Sequence, residues 1–164
     1  MTNQFFFFFF FFRFLCQIPT VPRLFLGSIG SALSFGTLKD LGIDHVISVL
    51  TGFSAPDLQA AAVASGAGIE SLSVTHFELA DAASADLDGA LPDLIDAIET
   101  ALAKADGGVL VHCFQGVSRS VSAVAGLLIA RGRGDVDLET AMELIRSVRP
   151  KAQPNLVRRA VGWG

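Results

Sequence analysis

An α/β fold with a central, mainly parallel sheet follows from three observations. Short apolar runs alternate with helix-like stretches along most of the chain. Several runs, such as "VISVL" and "GVLV", are β-branched and nearly continuous, as strands covered on both faces require. The stretches between runs are long enough to carry a helical crossover to a parallel neighbour. At 164 residues, with no internal repeat and no linker, the chain has the size of one domain. The expectation is a single-domain α/β fold of about 4–5 strands flanked by helices.

The elements follow in order. Arg23 to Ser28 ("RLFLGS") predicts a short strand ending at a Gly turn, and "GSALSFGTLKDLG" a helical stretch stopped at Gly42. Asp44 to Leu50 predicts a buried strand. "APDLQAAAVASGAG" has Pro and Asp at its start and Gly at its end, which predicts a helix. Ile69 to Leu79 predicts the next strand, and the small, polar "ADAASADLDG" a loop. Leu87, Leu91, Leu94, Ile95, Ile98 and Leu102 recur at three- and four-residue steps, one apolar helical stripe. Pro92 is expected in the first turn of that helix. "GGVLVHC" predicts a strand, and "SRSVSAVAGLLIARG" a helix. Leu138, Ala141, Met142, Ile145 and Val148 mark a further helix capped by Asp137, and "QPNLVRRAVGW" begins a last short one.

Half of the residues are apolar, which is enough for a sizeable core, and the net charge is −4 with both signs interspersed. No basic run points to nucleic acid, and no stretch predicts a membrane span. Two cysteines, Cys16 and Cys113, do not make a disulfide framework, so a reducing setting, cytoplasmic or nuclear, is expected. No Cys or His pairs stand at zinc-ligand spacing. Residues 1–17 are set apart by eight consecutive Phe, Phe5 to Phe12. The run is too short to cross a bilayer, lacks the parts of a signal peptide and has no period that would bury one face. It reads as a translated pyrimidine-rich tract outside the fold, with a short membrane-surface anchor as the weaker reading and the domain proper at residues 18–164.

The chemistry concentrates in "VLVHCFQGVSRS", Val109 to Ser120, at a strand-to-helix turn. Successive N–H groups of a tight turn can converge on an anion, and the following helix adds its unpaired N–H groups and positive dipole end. Gly116 relieves the turn, and the Arg119 guanidinium presents a planar fork to two oxygens. A free thiol of pKa about 8.5 is only about 3% thiolate at pH 7. In such a field Cys113 becomes a preformed nucleophile toward a bound phosphate. A leaving alkoxide also needs a proton from an acid on another loop at the same sheet edge. Asp81, after the strand ending in "FELA", is the best candidate; Asp86 and Asp88 are rivals placed where a helix N-cap is expected.

"HCFQGVSRS" resembles the HCxxGxSRS signature of the dual-specificity phosphatases, within the cysteine-dependent protein tyrosine phosphatase superfamily. His112, Cys113, Gly116, Ser118, Arg119 and Ser120 all match. "LFLGS" is similar to the family's LYLG start, "LKDLGIDHVISV" to its LxxxGIxxVxxV segment, and "RPKAQPN" to its Arg-Pro and Pro-Asn segment. Asp81 lies 32 residues before Cys113, a spacing the family uses for its general acid. The resemblance covers roughly Ile18 to Trp163. It implies a minimal, atypical catalytic domain acting on phosphoproteins, with a phosphate loop between the last strand and a helix and no metal or organic cofactor. It implies Cys113 as nucleophile, Arg119 as phosphate clamp, and Asp81 as acid and then base. Ser120 donates to the sulfur, and His112 orders the loop and favours the thiolate. The amides of Phe114, Gln115, Gly116, Val117, Ser118 and Arg119 bind phosphate. Phe114-Gln115 departs from the usual polar-Ala pair, which makes it the place to look for substrate preference.

Plainer readings hold elsewhere. Cys16 has no assigned role. His45 and His76 read as satisfied core or edge histidines, Arg131 and Arg133 as a solvated helix end, Asn155 as loop scaffold and Trp163 as packing. Two other functions compete with catalysis: a phosphate-binding pseudophosphatase module, against which Cys113, Arg119 and Asp81 argue, and a rhodanese-like sulfurtransferase, against which the full signature argues.

Overall fold

A computed structural model describes residues 15–80, 87–104 and 106–154, with Asp88 described by its backbone alone. Five strands form one sheet in the order β1-β2-β5-β3-β4: β1 (Leu15–Gln17), β2 (Leu24–Ser28), β3 (Ile43–Val49), β4 (Ser73–Phe77) and β5 (Gly108–Cys113). The four strands β2, β5, β3 and β4 pair in parallel, and β1 adds antiparallel to β2. The mainly parallel α/β sheet expected from the sequence is present.

Helices are α1 (Ile29–Ala32), α2 (Phe35–Asp40), α3 (Ala55–Ala64), α4 (Leu87–Lys104), α5 (Arg119–Gly132) and α6 (Leu138–Val148). All six residues of β5 are buried because it is flanked by β2 and β3 and covered on both faces. Successive side chains serve opposite cores. Leu24, Leu26, Ile47, Val109 and Val111 pack with Leu94, Ile98, Val124, Leu127 and Ile145 on the α4–α5–α6 side. Phe25, Val46 and Leu110 pack with Leu38 and Leu58 on the α2–α3 side. Among the described residues, strand β4 has a single strand partner, and its residues are half-buried or exposed, as in an edge strand. Asp137 caps α6 as expected, its carboxylate accepting from the Thr140 N–H at 2.8 Å.

Two boundaries move. Leu15–Gln17 form a strand on the β2 edge, with Cys16 opposite Leu26, so the ordered sheet reaches three residues into the segment set aside at 1–17. No periodicity signals a three-residue edge strand; only pairing with β2 creates it. Helix α4 begins at Leu87, takes in Asp88 and Gly89 from the expected loop, and leaves Pro92 in its interior rather than its first turn. Pro92 itself is exposed, so its ring intrudes on no core packing. The Phe run, Asp81, Asp86, Asn155, Trp163 and most of the last expected helix lie outside the described residues.

Candidate active site

Strand β5 delivers Cys113 at its carboxyl end, and Arg119 opens α5. The intervening loop is built by pointing its carbonyls outward. The Cys113 carbonyl accepts from His112 Nδ1 at 3.2 Å, and that of Phe114 from the Ile29 N–H at 3.1 Å. The Gln115 carbonyl accepts from Arg149 Nη2 at 2.9 Å, and that of Gly116 from Arg149 Nε. The Val117 carbonyl accepts from the Gln153 N–H at 2.9 Å, and that of Ser118 from the Ser122 N–H at 2.8 Å. In a trans peptide the N–H opposes the C=O, so this arrangement turns the loop amides toward the centre.

At that centre is the Cys113 sulfur. It accepts from the Gly116 N–H and from the Ser120 hydroxyl, each at 3.2 Å. Burial alone pushes this thiol up, but the Ser120 hydroxyl and the N–H groups of Ser120, Gly116 and Val117 outweigh it and hold the pKa below the ordinary thiol value. These donors are neutral, so the lowering comes from oriented dipoles.

His112 is fully buried, and burial drops its pKa to about 4, so its ring is neutral near pH 7. A carbonyl only accepts, so Nδ1 carries the proton toward Cys113. Nε2 then accepts, and its partner is the buried Ser48 hydroxyl at 2.6 Å, directly across in β3. His112 therefore orders the loop as a hydrogen-bond donor and not as an imidazolium.

Gly116 has φ of +68°, and a Cβ there would overlap the Gly27 carbonyl oxygen and come within 2.6 Å of Arg149 Nη2. The loop thus sits directly on the end of β2, which only glycine permits. Arg119 is 4% exposed, and its Nη1 donates to the Leu79 carbonyl at 2.8 Å. That bond ties Arg119 to the exit of β4, two residues before Asp81. Phe114 (59% exposed) and Gln115 form the open rim, Val117 is half-buried, and Ser118 is buried.

The structure therefore brings together His112, Cys113, Arg119, Ser120 and the loop amides, while the Asp81 side chain lies outside the described residues. Sequence reasoning missed Ser48 and Arg149. Ser48 sits inside an ordinary strand pattern and carries no motif. "RPKAQPN" marked the Arg149 segment but not its contact with the loop. His45 bonds Thr75 Oγ1 across β3 and β4 at 3.0 Å, and His76 bonds Glu78, as structural histidines do. Arg131 pairs with Glu99 at a partly exposed helix end.

A buried sulfur at the base of a nest of loop amides, followed by a buried arginine at the start of the next helix and set at the carboxyl edge of a parallel sheet, is the arrangement of the cysteine-dependent phosphatase class. Comparison with known proteins narrows the class. The family model described as "Dual specificity phosphatase, catalytic domain" matches residues 24–160, and the chain belongs to this family. It is 34% identical to dual specificity protein phosphatase 1B of Arabidopsis thaliana over 80% of this chain and 71% of that one. It is 36% identical to dual specificity protein phosphatase MPK-4 of Drosophila melanogaster over 80% of this chain, but spans only 31% of that protein's length. The crystal structure of human DUSP28 superposes with a TM-score of 0.68 at 27% identity, covering 87% of this chain and 86% of the other.

Proposed function

We propose that this chain hydrolyses phosphate monoesters on phosphoproteins, phosphotyrosine and phosphoserine/threonine alike, through a phosphocysteine intermediate. The observation that carries the reading is the Cys113 sulfur held among inward-facing donors while the six carbonyls of Cys113 to Ser118 are satisfied from outside. The thiolate attacks phosphorus, a P–S bond forms, and the P–O bond to the leaving group breaks. Asp81 gives that oxygen its proton. Water, deprotonated by Asp81, then attacks phosphorus and returns the sulfur as thiolate, with the Ser120 hydroxyl donating to it as it leaves. Arg119 and the loop amides hold the equatorial oxygens throughout. Phe114, Gln115 and Val117 place no charge at the rim, which suits a substrate presenting one phosphate on a polypeptide. The requirement for a free thiol suits a reducing compartment, the cytoplasm or nucleus.

Turnover of para-nitrophenyl phosphate tests the reading. Wild type hydrolyses it, Cys113→Ser abolishes turnover, and Asp81→Asn slows it. Phosphate binding without turnover between pH 5 and 7.5 would make the chain a phosphate-binding module instead.

A further inference from the structure

One side chain grips two successive carbonyls of the loop. Arg149, the residue after α6, donates from Nη2 to Gln115 and from Nε to Gly116. The peptide plane that carries the Gln115 carbonyl also carries the Gly116 N–H. The plane that carries the Gly116 carbonyl also carries the Val117 N–H. There is no cis peptide among the described residues, so in each plane the N–H points away from Arg149. The Gly116 N–H donates to the Cys113 sulfur at 3.2 Å, and the Val117 N–H is among the groups that lower that thiol's pKa. The guanidinium thus lies behind both peptide dipoles, with their positive ends aimed at the sulfur.

Three further features single Arg149 out. It is 8% exposed, so its field acts through protein rather than water. No carboxylate pairs with it among the described residues; its third neighbour is the Cys16 thiol, which burial keeps in its neutral form. Its planar fork fits two adjacent carbonyls, which the point charge of a lysine does not reproduce. Among the described residues, the other titratable side chains carried by the loop's own strand and helix are His112 from β5, held neutral, and Arg119 from α5.

We propose that Arg149 is a positioning residue for the nucleophile: it fixes the Gly116 and Val117 amides on the Cys113 sulfur while touching neither sulfur nor substrate. Catalytic use of this arrangement rests on the phosphatase reading; the effect on the thiol does not.

The test is alkylation of Cys113 by iodoacetamide in the full chain from pH 4.5 to 9, read by mass spectrometry of its peptide. Wild type, Arg149→Lys and Arg149→Ala are compared, with folding checked by circular dichroism. Both replacements move the alkylation midpoint to higher pH and slow the reaction at pH 6 about tenfold or more, as loss of hydrogen bonds to a charged group predicts. The acid limb of the kcat/KM profile moves the same way, and millimolar guanidinium restores part of the rate in Arg149→Ala. An unchanged midpoint in either folded variant overturns the proposal. Failure of Arg149→Lys to fold also overturns it, because Arg149 is then a core residue first. A shifted midpoint in a chain without phosphatase turnover would refute the phosphatase reading alone; turnover with no shift would refute this inference alone.

Discussion

Gly116→Ala tests the idea that the loop rests on the end of β2. Its φ of +68° places an alanine in the left-handed region, at a cost of about 1–2 kcal/mol. Gly42, at φ of +64°, pays the same backbone penalty, but a Cβ there meets nothing within 4 Å. At Gly116 the new Cβ meets the Gly27 carbonyl, which belongs to β2 and has no rotamer to change. The loop must lift by roughly 1 Å, adding about 1–3 kcal/mol. Gly42→Ala is therefore expected to lose about 1–2 kcal/mol and Gly116→Ala about 2–5. At about 2–4 °C per kcal/mol for a chain of this size, thermal melting resolves the difference. The lift also carries the Gly116 N–H off the sulfur, so Cys113 alkylation at pH 6 slows in Gly116→Ala and not in Gly42→Ala. Equal melting temperatures for the two variants, with unchanged alkylation, would refute the argument.

Other expectations concern the groups around the sulfur. The His112 pKa is lowered to about 4 from an ordinary 6.5, so the unfolded chain binds the extra proton first as pH falls. The buried neutral ring therefore leaves stability intact above pH 6.5 and loses up to about 3 kcal/mol between pH 6.5 and 4, measurable by urea titration. A His112→Gln variant should lack that part of the slope. Cys113 has the opposite protonation chemistry and the same direction. Its depressed pKa contributes stability that is complete above the unfolded thiol value and fades as pH falls through the folded one, and Cys113→Ser removes this dependence. Ser48→Ala leaves Nε2 of a buried ring without its donor and should cost about 1–3 kcal/mol, recovered in part by Ser48→Thr. Peroxide should block Cys113 alkylation, and only added thiol should restore it. Cys16 is two strands from Cys113 and two residues out of register, beyond disulfide reach, so a Cys16–Cys113 bridge in the oxidised protein would contradict this geometry.

Much of this protein was legible along the chain. Hydrophobic runs betrayed the buried strands, because burial on both faces leaves a composition that is local in sequence. The loop from His112 to Ser120 was legible because thiol, glycine, guanidinium and hydroxyl stand together on one short strand-to-helix turn. The three-residue strand Leu15–Gln17 was not legible, since pairing with β2 alone makes it a strand, and Pro92 inside α4 ran against its local preference. The sequence by itself determined which atoms are available for chemistry and the class of sheet that presents them. Tertiary structure decided how they are held. The outward carbonyls find Ile29, Arg149 and Gln153, and the His112 ring finds Ser48, all from segments distant in the chain. Loop amides face inward only when their carbonyls are satisfied outside, and those partners are brought in by packing rather than by spacing.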